Sequence, residues 1–352
     1  MAANNRLILT ADPDFLDLAL NEFQRGASDG TILATPAPDI ALVQCTETFV
    51  DLAERWRETP PIFVRHICPV QATVPLENGA GDLEALIVAY DDELGYLLDA
   101  DYSFSVQSRV FNDLPYKPFD INSALSQHII EIARAPLDVR NPQQILSVVC
   151  METKDDEGHT SADAYLGLSL TVHNLSDWAG GMRRFAREAE QVSRSEFKLL
   201  EAIEVFELEL PARGVVLDLG ASPGGWTRIL RSREQFVTAV DPGDLDPRVA
   251  KDRGVRHKRM TAEEYLARDP DQFDLIVNDM RMDGRDSSRL MVAYAPQLYP
   301  GGIALLTLKL PKFQRREILD HCFKILANAY DITGARQLFH NRSEITVYLT
   351  RK

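Results

Sequence analysis

VVLDLGASPGGWTRIL, Val215–Leu230, opens as a near-continuous apolar run, breaks into small residues and glycines, and resumes with helical spacing. An apolar run of this length reads as a strand buried on both faces, and the glycine-rich break after it as a tight strand-to-helix turn with the main chain laid bare. Downstream the same rhythm repeats. Strands are expected at FVTAVDP, VRHKRM, FDLIVNDM, GIALLTLKL, ARQLFH and EITVYLT. Helices are expected at SEFKLLEAIEVFEL, GGWTRILRSRE, DPRVAKDR, AEEYLARD, SRLMVAYAPQL and KFQRREILDHCFKILANAY. Strands alternating with helices predict an α/β unit over residues 193–352, a parallel sheet covered on both faces. The last two strands have no helix between them and are expected to pair as an antiparallel hairpin at one edge.

In an open α/β sheet, ligands sit beyond the carboxyl ends of the strands. The turn Gly220-Ala221-Ser222-Pro223-Gly224-Gly225 lies at such an end. It lacks the Lys of a phosphate-binding GxxxxGK[ST] loop, and Ser222 stands where the dinucleotide fingerprint GxGxxG needs its second glycine. The form that remains is DxGxxPGG. Asp218 either anchors the loop or meets a ligand amino group. Asp241 closes the next strand, where a carboxylate can accept both hydrogen bonds of a ribose diol. The layout suits S-adenosylmethionine.

Four more charged residues fall where such a sheet can gather them. Asp279 ends LIVNDM, Lys309 ends LLTLKLP, Glu344 opens the last strand, and Lys198 lies on the helix before the first. Charge at the end of an apolar strand is costly unless paired, so the plain reading is an ion pair closing the sheet. The chemical reading is proton abstraction: a hydroxyl attacking an activated methyl must lose its proton, and a neutral lysine can take it. Lys198 and desolvation would favour a neutral Lys309, with Asp279 orienting the pair and Glu344 holding Lys198 or the substrate.

Upstream, residues 1–75 read as a small α+β unit with a helix near Asp14–Gln24. Residues 76–175 carry strands at YSFSVQSRVF, QILSVVCM and AYLGLSLTVHN and a helix at INSALSQHIIEIAR with Asp120 as its N-cap. The acidic segment ETKDDEGHTSAD is expected at a hairpin tip. Residues 176–192 read as a linker running into a basic helix. The 352-residue chain carries a net charge of −15, distributed unevenly: −18 over residues 1–182 and +3 over residues 183–352. Four scattered cysteines and seven dispersed histidines show no metal-ligand spacing, so no metal is expected. No signal peptide or membrane-length apolar run is present, which suggests a cytoplasmic protein.

DLGASPGGWT and the spaced Lys198, Asp279, Lys309 and Glu344 resemble the FtsJ-like RNA ribose 2′-O-methyltransferases, and in particular the RlmM type, which acts on a cytidine of 23S ribosomal RNA. SRSEFKLLEA, LKLPKFQRRE and ARQLFHNRSEITVYLTRK are similar to segments of that type. The resemblance implies a Rossmann-like class I S-adenosylmethionine-dependent methyltransferase fold over 193–352, a seven-stranded sheet. Before it, it implies a ferredoxin-like unit and a THUMP-like RNA-binding domain. It makes Lys309 the proton acceptor of a Lys-Asp-Lys-Glu tetrad. It places cofactor contacts at Ser195, Gly220, Ser222, Pro223, Gly224, Gly225, Asp241, Thr261 and Asp279. The product would be S-adenosylhomocysteine, and the partner ribosomal RNA or a pre-ribosomal particle. Ser222 replaces the family's more usual Cys or Ala, and Thr261 its Asp near the adenine. Arg183, Arg184 and Arg187, then Arg281, Arg285 and Arg289, then Lys312, Arg315 and Arg316 are candidate RNA patches. Trp226 is expected to pack under the loop. Alternatives are a catalytically silent RNA-binding assembly factor, or a methyltransferase for a small molecule or protein.

Overall fold

A computed structural model describes residues 5–79, 81–111, 113–154, 160–268 and 270–352. The chain forms two compact units, Met1–Met182 and Arg183–Lys352. The first begins with β1 (Asn5–Thr10), α1 (Leu16–Gly26), β2 (Thr31–Ala37), β3 (Ile40–Cys45), α2 (Phe49–Glu58) and β4 (His66–Val70). Its sheet order, β2-β3-β1-β4, with antiparallel neighbours, is the βαββαβ ferredoxin-like pattern. Next come β5 (Ala72–Pro75), α3 (Gly81–Glu93), β6 (Phe104–Val110), α4 (Pro118–Ala133), β7 (Gln144–Lys154) and β8 (Thr160–Leu170), forming the sheet β5-β8-β7-β6. Its edge strand β5 thus comes from residues that the sequence assigns to the preceding unit. Ile8, Leu42 and Cys68 of the first sheet share one buried cluster with Val149, Met151 and Tyr165 of the second.

β7 and β8 pair in unbroken antiparallel register as far as Lys154↔Thr160. The acidic tip expected between them, residues 155–159, lies outside the described residues. Asp120 is not the N-cap of α4. It sits three residues in and accepts from the Lys117 amide at 2.8 Å, because Pro118 starts the helix earlier. The expected basic linker helix is absent. Residues 176–182 fold back into the first unit, where the Thr10 hydroxyl donates to the Gly180 carbonyl and Gln107 to that of Asp177. Gly180 and Gly181 both take positive φ, which ends any helix there.

The second unit runs α5 (Glu196–Val205), β9 (Val215–Leu219), α6 (Gly225–Ser232), β10 (Phe236–Val240), α7 (Pro247–Ala250), β11 (Val255–Lys258), α8 (Ala262–Leu266) and β12 (Phe273–Asn278). It ends with α9 (Gly284–Tyr294), β13 (Leu298–Lys309), α10 (Arg315–Leu326), β14 (Tyr330–Arg336) and β15 (Glu344–Arg351). The seven-stranded sheet has the order β11-β10-β9-β12-β13-β15-β14. The first five strands are parallel, and β15 is antiparallel to both its neighbours, the edge hairpin that the sequence predicts. Val216, Leu275, Val277 and Leu305 from the sheet share a core with Leu199, Ala202, Trp226 and Ile229 from α5 and α6.

One strand is displaced from its expected position. The sequence predicts a strand at ARQLFH, but β14 starts at Tyr330 and stops at Arg336. Tyr330 is buried and its hydroxyl donates to the Met291 carbonyl at 2.7 Å, which pulls it out of the preceding helix and into the sheet. Phe339 and His340 instead turn their amides onto the Glu201 carboxylate, each at 2.8 Å.

Candidate active site

β9 and β12 lie side by side at the centre of the sheet, with β10 and β13 outside them, and their carboxyl ends border a cleft of about 1040 Å³. Its floor is the glycine turn. Gly220 has φ +76°, and a Cβ there would lie 2.4 Å from Met280 Cγ and 3.2 Å from Met280 Cα. Only a bare backbone fits, which leaves the cleft open to main-chain groups. Gly224, at φ +108°, turns the chain into α6. A Cβ at Gly225 would strike Ser193 Oγ at 2.2 Å. Neither Gly224 nor Gly225 lines the cleft, whereas Ser195, Gly220, Ser222, Pro223, Asp241, Thr261 and Asp279 all do.

The Asp241 carboxylate accepts from the Ser222 amide at 3.2 Å and the Gly243 amide at 2.7 Å, so it is oriented before any ligand arrives. Thr261 caps α8, its hydroxyl accepting from the Glu264 amide. Trp226 is buried and donates Nε1 to the Ser195 carbonyl at 2.8 Å, packing beneath the loop as expected.

Asp218 resolves toward anchoring. It is 2 % exposed and accepts from the Thr227 hydroxyl at 2.6 Å, tying β9 to α6. Burial pushes its carboxyl up to about 7; the Thr227 bond opposes this, and Asp279 and Asp241 add to it. The unfolded carboxyl ionises near its ordinary value, so between about pH 4 and 7 the folded state holds the extra proton. Stability therefore falls as pH rises through that window. Asp218→Asn keeps an acceptor for Thr227 and removes the slope. Urea unfolding at about pH 5 and pH 8 should show the variant losing less stability than the wild type, by up to about 2–3 kcal/mol.

Lys309, in the same cleft, closes β13 directly opposite Glu344, the first residue of β15. Asp279 follows β12 on the other side of β13. Lys309 Nζ lies 2.8 Å from Asp279 Oδ1 and 2.5 Å from Glu344 Oε2. Lys198 Nζ, reaching in from α5, lies 3.1 Å from Asp279 Oδ1 and pairs with Glu344 Oε1. Two amines and two carboxylates thus close a ring of ion pairs. The charges balance, which is the condition for keeping them out of water. Burial works against the charge of Lys198, but Asp279 and Glu344 outweigh it and hold its pKa above the ordinary lysine value. Burial likewise opposes ionisation of Asp279, and Lys309 and Lys198 overcome it, keeping the carboxyl below the usual range. Asp279 adds stability that is lost only as pH falls below the ordinary carboxylate range. Lys198 adds stability that is lost only as pH rises past the ordinary lysine range.

Residues 191–326 match the family model described as FtsJ-like methyltransferase. The second unit carries an FtsJ-like methyltransferase domain. The chain is 38% identical over 181 residues to the "Ribosomal RNA large subunit methyltransferase M" of Halorhodospira halophila, covering 49% of this chain and 51% of that protein. Against the protein of that name from Methylococcus capsulatus it is 34% identical over 202 residues, 54% of this chain and 56% of the relative. The match to each of these relatives spans about half of its length.

The FtsJ-like domain, with its seven-stranded sheet and antiparallel edge, has the class I methyltransferase fold. It also uses residues that pattern reading missed. Thr307 Oγ1 donates to Asp279 Oδ1 at 2.6 Å and accepts from Lys309 Nζ at 2.5 Å. The signal was there, since period two puts Thr307 on the same strand face as Lys309. Glu196 and Glu201, both buried, fix α5 and with it Lys198. Glu196 accepts from the Val192 amide at 2.6 Å and pairs with Arg228 of α6 at 2.6 Å. Glu201 holds the turn leading into β15 through the Phe339 and His340 amides.

The expected basic patches fare unevenly. Arg183 is bound to Glu204 at 2.7 Å, Arg285 to Asp283 at 2.9 Å, Arg289 to Asp286 at 2.6 Å and Arg316 to Asp320 at 3.0 Å. Among the described residues no helix is long and apolar enough to cross a membrane, and no group of His, Cys, Asp or Glu could hold a metal ion.

Proposed function

We propose that this protein is an S-adenosylmethionine-dependent ribose 2′-O-methyltransferase of ribosomal RNA, with a cytidine of 23S ribosomal RNA as its target. The observation that carries the reading is the closed ring of Lys198, Asp279, Lys309 and Glu344 lining the same cleft as the glycine turn. The bare backbone at Gly220 and the preoriented Asp241 carboxylate fit a nucleoside ligand, the carboxylate accepting from the ribose diol. Ser195, Ser222, Pro223 and Thr261 would line the same ligand, while Gly224 and Gly225 shape the turn that bears it. When bound, S-adenosylmethionine supplies a methyl group already activated on a sulfonium.

The side chains then have separate tasks. Lys198, held charged by its two acids, is the fixed cation. Asp279 and Thr307 hold the Lys309 amine in place. Lys309, once it has released its own proton, accepts the proton of the 2′-hydroxyl as the oxygen attacks. Glu344 pairs with both amines. The open cleft, bordered by exposed arginines, suits a macromolecule better than a small enclosed substrate. A silent RNA binder would have no use for two half-buried lysines beside a cofactor cleft. Residues 1–182 sum to −18, so a THUMP-like module there would meet RNA only through local patches. A cytoplasmic location follows from a ribosomal substrate.

The test is incubation of the purified protein with labelled S-adenosylmethionine and ribosomal RNA from cells lacking the gene. Label should enter the large-subunit RNA and survive alkaline hydrolysis as a resistant dinucleotide, the mark of a 2′-O-methyl. Label in base or protein instead, or none at all, overturns the assignment.

A further inference from the structure

Three exposed arginines line the cleft, Arg194, Arg281 and Arg342, and among the described residues none of them has a carboxylate partner. Two of the three flank Lys309. Arg281, two residues past Asp279, and Arg342, two residues before Glu344, are exposed and have no carboxylate partner among the described residues. The sheet order β12-β13-β15 sets them on the two sides of Lys309: Arg281 beyond the end of β12, Arg342 before the start of β15. The strand ends from which they extend, those of β12 and β15, are two strand spacings apart, roughly 10 Å, a span that two arginine side chains can bridge. An uncommitted guanidinium at the mouth of a cleft recognises an anion with a planar fork of donors, and phosphate is the anion that fits it best.

We infer that Arg281 and Arg342 form a two-point clamp on the sugar-phosphate backbone of the RNA, gripping the phosphates on either side of the target ribose and so holding the strand in the cleft. This rests on the RNA reading above and deepens it. Arg285, Arg289 and Arg316 have their charge matched by Asp283, Asp286 and Asp320 and take no part. Direct phosphate contact is read without regard to base, so the clamp positions the strand and leaves choice of nucleotide to other contacts.

The experiment measures methylation of an unmethylated 23S ribosomal RNA transcript by the full-length protein across a range of salt concentrations. Arg281→Ala and Arg342→Ala should each raise KM for the transcript roughly tenfold at low salt, with kcat at saturating RNA little changed. Each should flatten the log KM against log salt slope by about 0.7, and the double variant by about 1.4. S-adenosylmethionine affinity should hold at the wild-type value, and so should Arg285→Ala and Arg289→Ala in every measurement. Both target side chains are exposed and form no ion pair or hydrogen bond among the described residues, so their loss leaves the fold intact, as the unchanged cofactor affinity would report. If the two cleft variants behave like the two controls while the wild type methylates the transcript, the clamp is wrong and the RNA reading stands. If they weaken cofactor binding and leave the salt slope alone, the arginines serve the cofactor and the clamp is again wrong. A wild type that leaves the transcript unmethylated overturns both.

Discussion

Lys309→Ala should abolish methyl transfer while cofactor affinity stays near that of the wild type. The amine's partners are Asp279, Glu344 and Thr307, none of them in the glycine turn, so its removal touches no loop contact. Losing a positioned general base costs roughly 10²–10⁴ in rate. The alanine also strips Asp279 and Glu344 of one of their two counter-charges. Lys309→Arg separates these effects. Arginine keeps a positive charge beside both acids but cannot give up its proton, so the ring is preserved and turnover is still lost. Lys198→Arg should behave oppositely. Its lysine is held charged already, so a permanent cation can stand in, and substantial activity should remain. Single-turnover rates for the three variants, with cofactor binding by calorimetry, check this. Equal losses from both arginine substitutions would remove the distinction between base and fixed cation.

Gly220→Ala should cripple cofactor binding. The residue sits at φ +76°, where a side chain costs roughly 1–2 kcal/mol before any contact is counted. Its new methyl would also lie 2.4 Å from Met280 Cγ and 3.2 Å from the Met280 main chain. Met280 follows Asp279, so relief of the clash moves the segment that carries both an acid of the ring and the cleft wall. Calorimetry should show S-adenosylmethionine affinity reduced by at least tenfold, with a stability loss of about 1–3 kcal/mol in urea unfolding. Affinity within twofold of the wild type would mean that the ligand lies elsewhere.

How legible the site is in the sequence varies with the range of the interactions involved. The glycine turn can be read because a local backbone demand, positive φ at Gly220 and Gly224, leaves a local trace. Asp279, Lys309 and Glu344 can be read because charge at the tip of an apolar strand is conspicuous. That Glu344 faces Lys309 cannot, because it depends on β15 inserting between β13 and β14, a choice no single segment encodes. β14 departs from its expected position for a related reason. Tyr330 continues a helical pattern, and only its burial and its bond to Met291 assign it to the sheet. Glu196 and Glu201 look like ordinary helix-surface acids in SEFKLLEAIE. Their roles depend on amides far away in sequence, at 339 and 340, or on Arg228 of another helix. Composition overstates the basic patches because it counts charges without their partners, and Asp283 and Asp286 neutralise two arginines of one patch.

The claim at the centre is that Lys309 deprotonates a ribose hydroxyl of ribosomal RNA. The most direct measurement maps 2′-O-methyl groups in 23S ribosomal RNA from cells with the gene, without it, and with the gene restored as wild type or as Lys309→Ala. One methyl should vanish with the gene, return with the wild type and stay absent with Lys309→Ala. A map unchanged by deletion, or a methyl restored by the alanine variant, would contradict the account.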